Sequence, residues 1–164
     1  MIYSEKGQSL MELVVVIAVV VIVVAALAFA TIASLRNANL AKNQAQATKL
    51  AQEGLEKIRS LRDRNTESIS YTDLAHSASK FSDLWAITFK CQDDPQNCYF
   101  NFIFDRLIGK VATSYEDIPP NFQRQVQIED EGDGTVQKKI TVIVRWSDFA
   151  GAHESRLTTI LRKI

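Results

Sequence analysis

One stretch limits what this chain can become: Leu13 to Ala30, which holds no charge, no Gly and no Pro. As a helix rising about 1.5 Å per residue it spans about 27 Å, close to the hydrocarbon thickness of a bilayer. Leu10 and Met11 extend the run backwards, and Ile32, Ala33 and Leu35 extend it forwards. One acid, Glu12, sits inside this apolar segment. A carboxylate there costs a few kcal/mol unless it finds a partner, so an intramembrane acid is a candidate functional residue.

The residues around that acid carry a resemblance. Gly7, followed by Gln8-Ser9-Leu10-Met11-Glu12-Leu13-Val14-Val15-Val16-Ile17-Ala18-Val19, resembles the processing site of type IV pilins and type II secretion pseudopilins. The resemblance implies that residues 1–7 are a leader, that a prepilin peptidase cuts between Gly7 and Gln8, and that Gln8 becomes the methylated N-terminus. Glu12 would then be the fifth residue of the mature chain, the family's position for its acid. The family usually starts its mature chain with Phe. Gln8 takes that place here, and an N-terminal Gln can also cyclise and lose its charge.

Two other readings of the run compete. Ala28-Phe29-Ala30 fits the small-x-small pattern before a secretory signal cleavage site, but the run exceeds an ordinary h-region and Glu12 lies where a positive n-region belongs. The run could equally be a plain signal anchor. Lys6 lies on one side and Arg36, Lys42 and Lys49 on the other, which leans weakly against an N-in orientation.

The 164 residues suffice for an anchor and one small domain. Formal net charge is zero, so no electrostatic footprint for nucleic acid is present and none is expected as a partner. Cys91 and Cys98 flank a loop containing Asp93, Asp94, Pro95 and Asn97. In an exported chain this spacing suits a small disulfide-closed loop; two free buried thiols are the alternative. His76 and His153 supply no metal-ligand spacing, so no metal site is assigned.

From Gln8 to about Asp63 there is no Pro and one Gly, Gly54. Ala47, Leu50, Ala51, Leu55, Ile58 and Leu61 recur at spacings of three and four, the stripe of an amphipathic helix. Glu53 and Lys57 are spaced for an i,i+4 ion pair. The expectation is one helix, with a membrane half over residues 8–35 and an amphipathic continuation over 36–63. Residues 64–164 then form a globular β-rich head. Within it, 66–83 reads as a loop with a short helical turn at Thr72–His76, and His76 as exposed. Residues 85–90 and 98–104 read as strands, the second with Phe100, Phe102 and Phe104 on one face. Residues 106–121 read as irregular, with Pro119-Pro120 excluding a central strand. Phe122, Val126 and Ile128 share a face of one strand; Ile140, Val142, Val144 and Trp146 share a face of the next; Leu157–Leu161 is the last. A turn at Glu131-Gly132-Asp133-Gly134, built on Asp-Gly, and a second over Ser147–His153 join them as an antiparallel meander.

The fold class expected is therefore α+β: a long N-terminal helix packed on a C-terminal antiparallel sheet, the architecture of the pilin family. The ending Arg145-Trp146-Ser147-Asp148, Gly151-Ala152-His153 and Leu157-Thr158-Thr159 looks more loosely like minor pilins and minor pseudopilins. No Gly-rich phosphate loop, nucleophile motif or His/Cys/Asp metal spacing occurs. Glu129, Asp130, Glu131 and Asp133 cluster without EF-hand spacing, and the hairpin turn accounts for their glycines without calcium. The reading is a structural subunit, with no enzyme activity and no cofactor expected. The resemblance implies a single-pass inner-membrane precursor with its head outside the cytoplasm. An assembly platform would extract it from the lipid bilayer into an extracellular or periplasmic filament of like subunits. Glu12 of one subunit would pair with the N-terminal amine of a neighbour. The competing classes are a secreted β-rich binding module, cleaved near Ala30, and a membrane-tethered adhesin that never polymerises.

Overall fold

A long α-helix, α1, runs from Lys6 to Arg64 without interruption. This computed structural model describes residues 6–72, 76–91, 95–109, 115–132 and 134–163. The chain divides into two units, one ending at Lys42 and one beginning at Asn43. The described residues of the first unit are helix alone. The second comprises the remainder of α1 and, among the described residues, eight strands: β1 (Ile69–Thr72), β2 (Ser77–Ala78), β3 (Tyr99–Ile103), β4 (Arg106–Gly109), β5 (Glu116–Ile118), β6 (Phe122–Asp130), β7 (Gln137–Asp148) and β8 (Gly151–Arg162).

The absence of Pro explains why α1 is unbroken: nothing between Lys6 and Arg64 removes a backbone donor. Its C-terminal half buries the expected stripe, with Ala47, Ala51, Leu55, Ile58 and Leu61 inside and Leu50 half-buried. This stripe packs on the sheet, giving the α+β arrangement. Gly54 marks a close approach of helix and sheet. A Cβ there would lie 3.0 Å from a Val142 methyl and 3.3 Å from Arg124 Cδ. Glycine in this helix therefore has a packing reason that its poor helix propensity hides. The expected Glu53–Lys57 pair does not form. Lys57 Nζ instead lies 3.4 Å from Asp105 and donates to the Phe104 carbonyl at 2.7 Å, while Glu53 faces Arg124 at 4.0 Å.

The strand order is β2-β1-β4-β3-β6-β7-β8, with β5 added to β6. The meander β6-β7-β8 forms as expected, with Phe122 opposite Trp146 and Val142 opposite Leu157. Phe122, Val126, Ile128, Ile140, Val142, Val144 and Trp146 are all buried. Each such side chain stabilises the fold by about 1.5–3 kcal/mol on leaving water. Tyr71, Phe89 and Phe100 pack ring against ring with centroids 5.6–5.8 Å apart.

Several expectations fail for identifiable reasons. Residues 66–83 hold β1 and β2 as well as loop; residues 73–75 of the expected helical turn lie outside the described set. The sheet is not wholly antiparallel, since β1 pairs in parallel with β4. The long connection between them permits that crossover, which a tight turn would not. Trp85 lies in a 3-10 helix, Phe81–Ala86, that buries Phe81, Leu84 and Trp85. Ile87 and Phe89 alternate inward as a strand would, but only Asp130 holds this segment to β6: its carboxylate accepts from the Phe89 N–H at 2.9 Å and its backbone N–H donates to the Phe89 carbonyl at 3.3 Å, so no ladder extends along it. Residues 106–121 contain β4 and β5, and β5 is an edge pairing that stops before cis Pro119-Pro120. Phe104 is not on the core face. It is 93% exposed at the β3–β4 turn with φ +55°. The β6–β7 connection spans 131–136, and Gly132, not Gly134, has the left-handed φ of +59°; Asp133 is outside the described residues. The β7–β8 turn shrinks to Phe149-Ala150. Asp148 accepts from the Ala150 N–H at 2.8 Å, and Gly151 supplies φ +124°.

An uncovered apolar helix as the candidate functional site

The candidate site begins with local chemistry. Val, Ile, Leu and Ala from Leu13 to Ala30 leave no polar face, so this half of α1 is apolar on all sides. Every large apolar side chain from Leu10 to Leu35 is exposed, and none of the apolar window is buried among the described residues. The helix is long and apolar enough to cross a membrane. Gly7 and Gln8 lie in its first turns, within the helical backbone rather than in an extended leader. Residues 1–5 fall outside the described set. Glu12 follows one turn after Gln8 on the exposed surface, with no ion pair among the described residues. The first basic residue beyond it is Arg36, about 36 Å further along the helix axis. Gly7, Gln8 and Glu12 are thus adjacent on one helix end, at the front of the uncovered surface.

In the second unit Cys91 and Cys98 are joined, with Cα atoms 5.6 Å apart. The bridge closes the loop that leads through a 3-10 turn, Pro95–Cys98, into β3. Cys98 is fully buried in the core.

Two buried cations were not anticipated. Arg124 sits on the same face of β6 as Phe122 and Val126 and is 3% exposed. It binds Glu116 of β5 through two parallel bonds, at 2.7 and 2.9 Å, and donates to the Leu50 carbonyl of α1 at 3.0 Å. One guanidinium therefore ties edge strand, central strand and helix together. The signal was present in the sequence as a basic residue on an otherwise apolar face, Phe122-x-Arg124-x-Val126. Lys138 is 1% exposed; its ammonium meets the Asp130 carboxylate, donates to the Ile87 carbonyl at 2.6 Å and lies 4.9 Å from the centre of the Phe89 ring. Burial pushes its pKa down, opposed by the hydrogen bond and charge of Asp130. Glu129 pairs with Lys139 at 2.6 Å. Asp130 and Glu129, half of the acidic cluster, are therefore spent on cross-strand lysines. Among the described residues no group of His, Cys, Asp and Glu is arranged to hold a metal ion.

No family model matches this chain, and neither a curated protein nor a solved structure matches it.

Proposed function

We propose that the chain is a structural subunit of a type IV pilus or a type II secretion-type pseudopilus, processed after Gly7 and assembled through the N-terminal half of α1. One observation carries this reading: Gly7, Gln8 and Glu12 stand in the family's register at the front of a helix whose apolar surface no described residue covers. An unbroken helix that packs a β-rich unit on its second half suits a subunit whose first half belongs to lipid and then to a bundle. The Cys91–Cys98 bridge suits a head held outside the reducing cytoplasm. Prepilin peptidase, a membrane assembly platform and other subunits are the partners this implies, with Glu12 as the assembly residue and Gln8 as the new terminus.

Intact-mass measurement of the mature protein tests the reading. The expected chain starts at Gln8, with a further methyl group or a loss of ammonia on that residue. A start at Thr31 would make the protein a secreted β-rich module, and a start at Met1 would remove the processing on which assembly depends. Gly7→Leu should abolish the cut and leave membrane insertion intact.

A further inference from the structure

We propose that the outer edge of β8 receives an extended segment of a partner protein, one that turns apolar side chains toward α1 and presents acids to Arg156 and Arg162. β8 ends the strand order and is 12 residues long, about 40 Å of chain. The other edges of the sheet are blunted: β2 has 2 residues, and β5 has 3 and stops before Pro119-Pro120. A long edge is a template for another strand, and folded chains guard such edges with Lys, Pro or a bulge. β8 contains no Lys and no Pro, and its pairing with β7 runs from Gly151 to Arg162 without a bulge.

The register shows which backbone groups of β8 face outward. The Lys163 N–H, just past the strand, donates to the Val136 carbonyl at 2.9 Å. Antiparallel ladders alternate bonded and unbonded pairs, so Leu161, Thr159, Leu157 and Ser155 bond to β7 as well. Arg162, Ile160, Thr158, Arg156 and Glu154 then turn their N–H and C=O groups away from β7. The hydroxyls of Thr158 and Thr141 meet at 2.9 Å, as side chains of a closely spaced unbonded pair do. Among the described residues no backbone bond from outside the sheet reaches these outward groups.

The two faces of β8 define what the added strand carries. Leu157 lies opposite Val142, which meets Gly54 of α1, and the Thr159 hydroxyl accepts from Arg59 of α1 at 3.3 Å. Leu157 and Thr159 are half-buried, and apolar side chains on a strand beside them would complete their cover. On the opposite face Glu154, Arg156, Thr158, Ile160 and Arg162 are all exposed. Glu154 is met by Arg156 at 2.7 Å and by Arg145 at 3.5 Å, so arginine is in excess there. Arg162 has no ion pair among the described residues. Opposite charges on paired strands attract, which selects a segment with acids facing Arg156 and Arg162. A second copy suits the edge less well. Two β8 edges pair antiparallel by a half-turn about the sheet normal, which reverses the packed half of α1, whereas chains anchored in one bilayer run the same way.

The test uses the full chain in detergent, ¹⁵N-labelled at threonine and isoleucine, with amide exchange followed at Thr158, Thr159 and Ile160. In the free chain the outward Thr158 and Ile160 should exchange roughly tenfold or more faster than Thr159. The probe is a capped peptide, Glu-Val-Thr-Val-Thr-Val-Glu, whose acids match the spacing of Arg156 and Arg162 in either direction. At saturation it should slow Thr158 and Ile160 roughly tenfold, and the same peptide with Lys for both Glu should bind about fivefold more weakly. Arg162→Glu should narrow or reverse that preference. Thr158→Pro removes one outward donor and should abolish the slowing at Ile160, with the β7 ladder kept. Four results would each overturn the proposal: Thr158 and Thr159 equally protected in the free chain at high dilution, protection of Thr158 that rises with protein concentration alone, no saturable slowing by the glutamate peptide, or equal affinity for the two peptides.

Discussion

Replacing Gly54 by Ala should destabilise the second unit, although helix propensity argues the reverse. In an exposed helix interior the change gains about 1 kcal/mol, because Ala loses less backbone entropy than Gly. Here the added Cβ would stand 3.0 Å and 3.4 Å from the two Val142 methyls and 3.3 Å from Arg124 Cδ. Neither neighbour can yield cheaply. Val142 is fully buried in a central strand, and Arg124 is clamped by Glu116 and the Leu50 carbonyl. Forcing a methyl into such a contact costs about 1–3 kcal/mol. The net effect is a loss of about 1 kcal/mol, or roughly 3–5 °C in the unfolding midpoint for a unit of this size. Thermal unfolding of the full chain in detergent reads it. A double-mutant cycle isolates the cause: in a Val142→Ala background, Gly54→Ala should become stabilising by up to about 1 kcal/mol, a coupling of about 2 kcal/mol. A rise in midpoint for Gly54→Ala alone would refute the close approach of helix and sheet.

Reducing the Cys91–Cys98 bridge should lower the midpoint, since closing so short a loop removes about 2–3 kcal/mol of unfolded-chain entropy; an unchanged midpoint would count against it. Lys138→Met should cost about 3–5 kcal/mol, because Asp130 and the Ile87 carbonyl lose a buried cation; a cost below about 1 kcal/mol would mean the pair is effectively solvated. Asp83 is held below its ordinary pKa chiefly by the Lys80 N–H, at 2.9 Å, and then by the Ser79 N–H. Its folded pKa lies below its unfolded one, so its contribution is complete above the ordinary carboxylate range and is lost as pH falls through the lowered value. Asp83→Asn should flatten that part of the acid limb of a stability–pH profile.

Much of this fold is legible in the residues because period and burial agree. The 47–61 stripe and the alternations at 122–128 and 140–146 each put one apolar face inward, and each is buried as read. Failures occur where a side chain replaces a backbone partner or a connection reverses the expected direction. Phe89 shows strand alternation, yet its N–H bonds the Asp130 carboxylate, and a single backbone bond, from the Asp130 N–H to the Phe89 carbonyl, is all that joins it to β6. Phe104 continues the Phe100 and Phe102 pattern, yet the chain turns at that residue and leaves it outside. The Asp148 carboxylate makes a two-residue turn out of a segment whose Gly and Ala suggested a longer one. The parallel β1–β4 pair is invisible locally, because it depends on where two short segments meet in space, with paired residues such as Ile69 and Leu107 38 positions apart. At the helix end, the interest of Gly7, Gln8 and Glu12 comes from their resemblance to a family motif, whereas the open edge of β8 needed strand register to show which of its backbone groups turn outward.

The apolar half of α1 decides where this chain cannot be, but not which neighbour it takes. Its large side chains each lose about 1.5–3 kcal/mol in water, so lipid or other helices must cover them. Between lipid and a helix bundle the difference nearly vanishes, because acyl chains are as apolar as Leu. Under the proposed assembly, selection of register would therefore fall to Glu12. No Lys or Arg lies between Gln8 and Leu35; under the proposed processing the nearest cation would be the amine released when Gly7 is removed. Before the cut that nitrogen is an amide and carries no charge. In a lone subunit both groups can stay in headgroup water; in a dry bundle a carboxylate without a cation is costly, and only registers that bring it to a neighbour's amine are spared. Under the proposed assembly, Glu12→Leu should insert in the membrane at least as well as the parent chain and be processed normally, yet enter filaments poorly. Glu12→Gln should fall between the two, since it keeps the shape and a hydrogen bond but not the charge. Quantifying each variant in membranes and in sheared filaments separates the steps. Wild-type incorporation of Glu12→Leu would show that the acid serves the processing enzyme and not the register of the bundle.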